Sequence, residues 1–254
     1  PLAKAATALR QTYRKQLAAI MAQDTTAEDP IEIQPRISQE LSDLADAALE
    51  GALAIARNEV DGSEHVRFAI IGMGKLGARE LNYVSDVDLI YVVEPTDKDT
   101  NGMTLNRVGT KMATTLQRVC QSVIMGVAEP TLWQIDGGLR PEGKDGPLVR
   151  KLESHKAYYE QWAENWEFQA LLKARPVAGD PDLGQAYMDM TRPFVWTASK
   201  RDNFVYDCQQ MRKRVEDLIP APLKDREIKL GRGGLRDVEF TVQMLQLVHG
   251  RADE

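Results

Sequence analysis

Apolar residues recur at helical spacing in the first part of the chain. From Pro1 to about Ala22 they fall every three or four positions with charges between them, which predicts a helix. The Asp, Thr and Pro residues of Gln23–Arg36 predict a loop. Ser38 is a suitable N-cap for a second helix that runs to about Asn58. We therefore expect residues 1–62 to form an N-terminal helical segment.

The pattern then changes to short, continuous apolar runs. Val66–Gly72 and Val87–Val93 are rich in β-branched residues and are bounded by Gly, Ser or Pro, so they predict two central strands. A long amphipathic helix is predicted from Thr104 to Met125, and a third strand over Thr131–Asp136. Residues 63–150 are therefore expected to form the central domain.

No further strong strand is predicted beyond Arg150. The helical patterns that follow are Ser154–Ala163, Glu164–Ala174, Asp182–Phe194, Lys200–Ile219 and Leu235–Val248. Helices, a small sheet and helices again predict an α+β fold with a C-terminal helical lobe over residues 151–254. The repeated strand-helix alternation of a doubly wound fold is missing.

Composition narrows the function classes. The chain has 254 residues, 43% of them hydrophobic and 28% charged, as in ordinary globular proteins. A formal net charge of -6 argues against nucleic acid or an anionic membrane as a partner. Cys120 and Cys208 give neither a disulfide framework nor a zinc pattern, and we expect a cytoplasmic location. Because the chain lacks an initiator methionine and stops in a charged stretch, we also expect it to be part of a longer protein.

Candidate chemistry is concentrated in residues 70–90. A strand ends there in a Gly-Met-Gly-Lys turn, and the next strand carries Asp86 and Asp88. Residues two apart on a strand share a face, so both carboxylates can reach one ion, and Mg²⁺ prefers such oxygen ligands. A surface turn is the alternative for an Asp-x-Asp pair, but the buried-looking apolar residues on both sides favour a metal site.

The turn itself is predicted to bind phosphate. The glycines, Gly74 among them, let backbone N–H groups approach a phosphate, and Lys75 and the short helix after it add positive charge. Ser85, directly before the first acid, is included in the expected nucleotide contacts. The Gly72-x-Gly74-x-x-Gly77 spacing also fits a dinucleotide-binding fold. That interpretation fails because only a short helix separates the strands and the second strand carries two acids.

This combination resembles the DNA polymerase β-like nucleotidyltransferase superfamily. The resemblance implies a third carboxylate on a neighbouring strand, for which Asp136 is the best candidate, and a cluster that holds one or two Mg²⁺ ions. Arg140 and Lys144 follow on a loop rich in Gly and Pro that could cover a polyphosphate, although either side chain could instead lie in solvent.

A second glycine-rich stretch lies at Ile228–Phe240. Its glycines lead into a helix whose first turn holds acids, so the stretch is either another phosphate-binding loop or a well-capped helix start. The residues alone leave both alternatives open. Arg232 and Arg236 are the candidate nucleotide contacts here.

Four motifs together resemble the family of bifunctional glutamine synthetase adenylyltransferase/adenylyl-removing enzymes. They are GMGKLGARELNYVSDVDLI, DGGLRPEGKDGPLV, WEFQALLKARPVAGD and LGRGGLRDVEF, in the family's order over about residues 66–250. The resemblance implies nucleotidyl transfer with Mg²⁺, ADP or ATP and inorganic phosphate. It also implies glutamine synthetase, a PII-type signalling protein and a second nucleotidyltransferase domain of the same polypeptide as partners.

The family has one domain that attaches AMP to a glutamine synthetase tyrosine and one that removes it with phosphate to give ADP. The stretch Lys229–Phe240, Tyr158-Tyr159 and Leu172–Arg175 resemble the removing domain, which we therefore expect. Gly138, where many relatives place an arginine, and Asp237 in place of glutamate depart from the pattern. The attaching activity and a catalytically silent, regulator-sensing module remain the alternatives.

Overall fold

Helices precede and follow a small sheet along the chain. The structure is a computed structural model and describes residues 2–97, 101–224 and 226–250. The helices are α1 (Leu2–Thr26), α2 (Pro30–Glu59), α3 (Gly74–Gly77), α4 (Gly102–Gln121), α5 (Leu152–Gln161), α6 (Asn165–Leu171), α7 (Pro181–Thr197), α8 (Phe204–Asp217) and α9 (Leu235–His249). The strands are β1 (Val66–Met73), β2 (Val87–Pro95), β3 (Ile135–Asp136), β4 (Val149–Arg150) and β5 (Arg175–Gly179). No helix in the described ranges is long and apolar enough to cross a membrane.

The strands of the described chain form one mixed sheet. Its order is β3-β2-β1-β5, and β4 also pairs with β2. β1 runs antiparallel to β2 and β5, whereas β2 runs parallel to β3 and β4. The prediction of an α+β fold with a small mixed sheet is confirmed, and the arrangement is consistent with a nucleotidyltransferase-like fold.

The two faces of the central strands have different neighbours. Phe68 and Leu89 point to one face and join the main hydrophobic core with residues of α1, α2 and α4. Ile71 and Ile90 point to the other face, where they are buried outside that cluster. Asp88 lies two residues before Ile90, so its side chain starts from this second face, at the beginning of β2.

The predicted loop over residues 23–36 was wrong, because α2 begins at Pro30. Asp29 is the N-cap, and its Oδ1 accepts hydrogen bonds from the N–H groups of Ile31 at 2.8 Å and Glu32 at 3.1 Å. Proline suits the first helical position, where its missing N–H would have no helical partner. Pro35 lies inside α2 and removes one hydrogen bond, which the burial of the alanine-rich face of the helix outweighs.

The prediction that no strand follows Arg150 was also wrong. β5 pairs with β1 at the edge of the sheet. Its sequence, Arg-Pro-Val-Ala-Gly, lacks the alternation of a typical strand, but an edge strand tolerates proline because one of its sides needs no backbone donor. The third predicted strand is shorter than expected and covers only Ile135–Asp136.

Contacts divide the chain into two compact units. The first contains Pro1–His155 and Lys173–Met188, and the second contains Lys156–Leu172 and Asp189–Glu254. The whole sheet, including β5, therefore belongs to the first unit. The division into domains at residues 62 and 150 remains a prediction.

Candidate active site

Two of the predicted acids lie side by side on neighbouring strands. In the parallel pairing of β2 with β3, Asp88 is the register partner of Asp136. Register partners point to the same face of a sheet, so the two side chains leave from adjacent positions of one face. Asp86 is exposed and lies just before β2, two residues from Asp88. The strand register thus brings together acids from distant parts of the sequence.

The glycine-lysine turn lies directly against one of these acids. Gly74 has a φ of 54°, in the left-handed region, and a Cβ placed on it would lie 2.5 Å from Oδ2 of Asp88. Only glycine allows both this backbone conformation and this close approach. Lys75 follows in α3 with a half-buried side chain, and it forms no ion pair within the described ranges. Turn, lysine and acid therefore meet at one end of the sheet.

A local hydrogen bond fixes the carboxylate of Asp136. Its Oδ1 accepts a hydrogen bond from the backbone N–H of Gly138 at 2.7 Å. A Cβ at position 138 would lie 2.9 Å from the same oxygen. The small residue at 138 therefore lets the loop fold back onto the acid. Many relatives have an arginine at this position, and the close contact with Asp136 is consistent with the glycine found here.

The acids could bind a magnesium ion only if substrate phosphates and water completed its coordination shell. Among the residues that the structure describes, no three His, Cys, Asp or Glu side chains are close enough to hold a metal ion by themselves. Mg²⁺, however, is usually bound by one or two carboxylates, with substrate phosphates and water completing its shell. The adjacent Asp88 and Asp136 match that donor set. The assignment of all three acids as metal ligands stays a prediction.

Arg140 holds the loop that follows Asp136. Its guanidinium donates to the carbonyl oxygen of Gly137 at 2.7 Å, to that of Gly146 at 3.1 and 3.3 Å, and to that of Lys144 at 3.2 Å. Glu142 and Gly143 both have positive φ, so the loop turns sharply at its middle. The predicted phosphate contact thus also has a structural role, while the Lys144 side chain is exposed.

Ser85 makes a backbone contact. Its hydroxyl donates to the carbonyl oxygen of Asp86 at 3.0 Å, which stabilises the bend before β2. This hydrogen bond does not test the predicted contact of Ser85 with a nucleotide, which stays a prediction.

The second glycine-rich stretch is a tightly hydrogen-bonded helix start within the second unit. Arg212 of α8 donates to the carbonyls of Leu230 at 3.0 Å and Gly231 at 2.9 Å and pairs with Asp237. The hydrogen bond from Arg212 lowers the pKa of Asp237, whose carboxylate also accepts from the N–H of Gly233.

The two candidate arginines of this stretch differ. Arg236 pairs with Glu239 at 2.7 Å, whereas Arg232 is exposed. These contacts support the interpretation of the stretch as a well-capped helix start. Nucleotide binding by either arginine stays a prediction.

Sequence reasoning missed the side chains that support the turn. Arg175 of β5 forms a two-fold ion pair with Asp46 of α2, at 2.6 and 3.1 Å, and also bonds the carbonyls of Leu76 and Gly77. The signal in the sequence was the motif WEFQALLKARPVAGD, in which the predicted helix Glu164–Ala174 ends just before Arg175.

Fold and site together define a nucleotidyltransferase-like α+β protein. Residues 2–190 match the glutamate-ammonia ligase adenylyltransferase family, and the chain belongs to that family. Residues 209–253 match GlnD PII-uridylyltransferase. The family resemblance that the four motifs predicted is confirmed.

Several curated proteins named bifunctional glutamine synthetase adenylyltransferase/adenylyl-removing enzyme are similar to the chain. The protein of Bifidobacterium longum subsp. infantis is 86% identical over 253 residues, which cover 100% of this chain and 24% of the relative. That of Mycolicibacterium smegmatis is 54% identical over 97% of this chain and 24% of the relative. That of Cutibacterium acnes is 52% identical over 100% of this chain and 26% of the relative. The chain thus spans about a quarter of the length of these relatives.

Proposed function

We propose that the chain carries the adenylyl-removing activity of its family. Adenylyl-tyrosine of glutamine synthetase and inorganic phosphate would react to release ADP. The observation that carries this proposal is the pairing of Asp88 with Asp136 beside the turn of Gly74 and Lys75. Acids beside a glycine-lysine turn are parts that phosphoryl-type transfer needs, because its catalysis consists mainly of positioning and charge neutralisation.

Each residue has a role in this proposal. Asp88 and Asp136, with Asp86 beside them, would hold Mg²⁺, which when bound neutralises the charge on the phosphoryl oxygens. Lys75 and the backbone of Gly74 would orient the phosphate. The bond from phosphorus to the tyrosine oxygen breaks as a bond to a phosphate oxygen forms. AMP thus leaves as part of ADP, and the tyrosine oxygen regains a proton. No covalent enzyme intermediate is required.

Removal is favoured over attachment by Lys229–Phe240 and Leu172–Arg175, which resemble the removing domain. The matching family is itself described as an adenylyltransferase, which keeps attachment of AMP from ATP as the second candidate. Glutamine synthetase, a PII-type protein and a second nucleotidyltransferase domain of the same polypeptide are the partners that we propose, in the cytoplasm.

The decisive assay measures ADP released from adenylylated glutamine synthetase with Mg²⁺ and phosphate. We expect Asp88→Asn and Asp136→Asn each to lower the rate by roughly 100-fold or more, because each removes a charge that faces the phosphoryl group. Asp145→Asn, at an exposed acid of the adjoining loop, is the matched control and should keep the wild-type rate. AMP incorporation from ATP without any ADP release would show instead that the chain is the attaching half.

A further inference from the structure

The chain segment before and within β5 packs against α3. A Cβ on Gly77 would lie 1.7 Å from the carbonyl oxygen of Lys173 and 2.5 Å from that of Gly72. The Lys173 side chain also pairs with Glu80, just after α3, at 2.9 Å. This contact fixes where the segment crosses the short helix that carries Lys75.

Arg175 continues the same contact with its side chain. Its guanidinium donates to the carbonyl of Leu76 at 3.1 Å and to that of Gly77 at 3.2 Å, which are the last two residues of α3. Its Nη1 and Nη2 also donate to the two carboxylate oxygens of Asp46, at 2.6 and 3.1 Å. A cation at the carbonyl end of a helix is favourable, and arginine can serve two carbonyls and a carboxylate at once.

The turn needs such external support. A helix of four residues has too few internal hydrogen bonds to be stable by itself. The chain leaves it through Arg79, whose φ of 59° is unusual for a residue with a side chain. Contacts from outside must therefore stabilise the position of Gly74 and Lys75 relative to Asp88.

We propose that Arg175, anchored by Asp46, is a positioning residue that holds the glycine-lysine turn in register with Asp88. This proposal rests on the function proposed above, in which the turn orients the phosphate. Arg175 acts through the carbonyls of α3, so its loss should lower the rate of the chemical step more than the affinity for adenylylated glutamine synthetase. With this role for Arg175, the LLKARP part of the third sequence motif contributes to the site.

The chain offers a matched control for the test. Arg67 of β1 forms an equally two-fold ion pair with Asp180, at 2.7 and 3.0 Å, at the opposite end of the β1–β5 pairing. Arg175→Lys and Arg67→Lys therefore each weaken one arginine–aspartate pair of the first unit, and only Arg175→Lys loosens the turn. Lysine keeps the charge, but its three donors sit on one atom and cannot replace the four hydrogen bonds that Arg175 makes to Asp46, Leu76 and Gly77.

Two measurements on both variants decide the matter. We expect Arg175→Lys to lower kcat of ADP release by roughly 10- to 100-fold with little change in KM, and Arg67→Lys to change neither. We also expect faster amide hydrogen exchange in residues 74–80 of Arg175→Lys, at an unchanged rate in the core of β2, and no such change in Arg67→Lys. Asp46→Asn should reproduce the effect of Arg175→Lys in part.

Equal kcat values and equal exchange of residues 74–80 in the two arginine variants would overturn the proposal. So would a loss of protection throughout the first unit, because it would show that Arg175 serves overall stability only. The exchange experiment needs no substrate. If the wild-type chain releases no ADP, the proposed reaction fails, and the exchange comparison alone decides whether Arg175 holds the turn.

Discussion

Gly74 is the residue at which the candidate site depends most directly on the lack of a side chain. Gly74→Ala would place a methyl group 2.5 Å from Oδ2 of Asp88 and would also strain a backbone with a φ of 54°. Since the acid must move, we expect ADP release to fall by at least about tenfold. The rate is measured together with the thermal unfolding midpoint.

Gly62→Ala is the control that separates backbone strain from the collision of an added methyl group with a neighbour. Gly62 has a φ of 83°, but its Cβ would meet only a methyl group of Val108, at an ordinary 3.6 Å. The backbone strain alone should cost each variant about 1–2 kcal/mol of stability, and only Gly74→Ala should impair the reaction. Similar rates for the two variants would mean that contact between Gly74 and Asp88 is unimportant for catalysis.

At the residue scale, the sequence predicts that Asp86 and Asp88 share a face, and the structure places Asp88 in β2 and Asp86 just before it. Asp86 and Asp88 follow from the alternation of side chains along a strand, a property of two neighbouring peptide units. The hydrogen bonds of Arg140 could not be predicted in the same way, because they form only when the loop from Gly137 to Gly146 closes.

At the scale of elements, α1 is attached to the chain segment that leads into β3. Arg10 is buried, and its guanidinium bonds the carbonyls of Val119 at 2.8 and 3.1 Å, Ser122 at 2.7 Å and Glu129 at 3.0 Å. Tyr13 accepts a hydrogen bond from the indole N–H of Trp133 at 3.1 Å. The N-terminal helix therefore helps to place the segment that ends in the third acid.

Arg10→Met tests this attachment. The substitution leaves several buried carbonyl oxygens without a donor, so we expect the free energy of unfolding to fall by about 2–4 kcal/mol in urea titrations. Arg36→Met is the control, because Arg36 is exposed on α2 and its partners Glu40 and Gln23 lie at the surface. A loss of less than about 0.5 kcal/mol in Arg10→Met, the usual size for a surface change, would contradict a structural role for these bonds.

Elements with strong local patterns were predicted well, and those defined by distant contacts were not. β1, β2 and α4 have runs or faces of apolar residues that specify one structure. β5 has no such pattern, and it forms because it pairs with β1 at the edge of the sheet. The start of α2 was missed because the Asp, Thr and Pro residues of this stretch were interpreted as a loop, whereas Asp29 is an N-cap and Pro30 is the first helical residue.

At the scale of the whole molecule, stability should depend on pH through His155. Burial, and then the charge of Arg150, lower the pKa of His155 from 6.5 to about 3 in the folded protein. The unfolded chain therefore binds a proton more readily than the folded chain between these values, and stability decreases as the pH falls from 6.5 toward 3. Urea titrations from pH 7.5 to 4.5 should show a loss of up to about 1.4 kcal/mol per pH unit below 6.5 from this group.

His155→Phe isolates this contribution. Phenylalanine can keep the edge-to-face contact with Tyr187, which now has ring centroids 5.2 Å apart, but it cannot bind a proton. The variant should therefore lose less stability than the wild type on acidification. If the variant and the wild type lose stability in parallel, His155 is not the group responsible.

The sequence by itself indicated the family of this protein, the residues of its candidate site and most of its regular elements. The acids, the glycine-lysine turn, the main strands and the long helices are specified by residues close together in the chain, and the four motifs were sufficient to predict the family. Only the tertiary structure decided how these parts meet: the register of Asp88 with Asp136, the edge strand β5, and the contacts of Arg175 and Arg10. Such contacts join residues up to 129 positions apart, and side-chain spacing along one segment contains no information about which distant segment will pack against it.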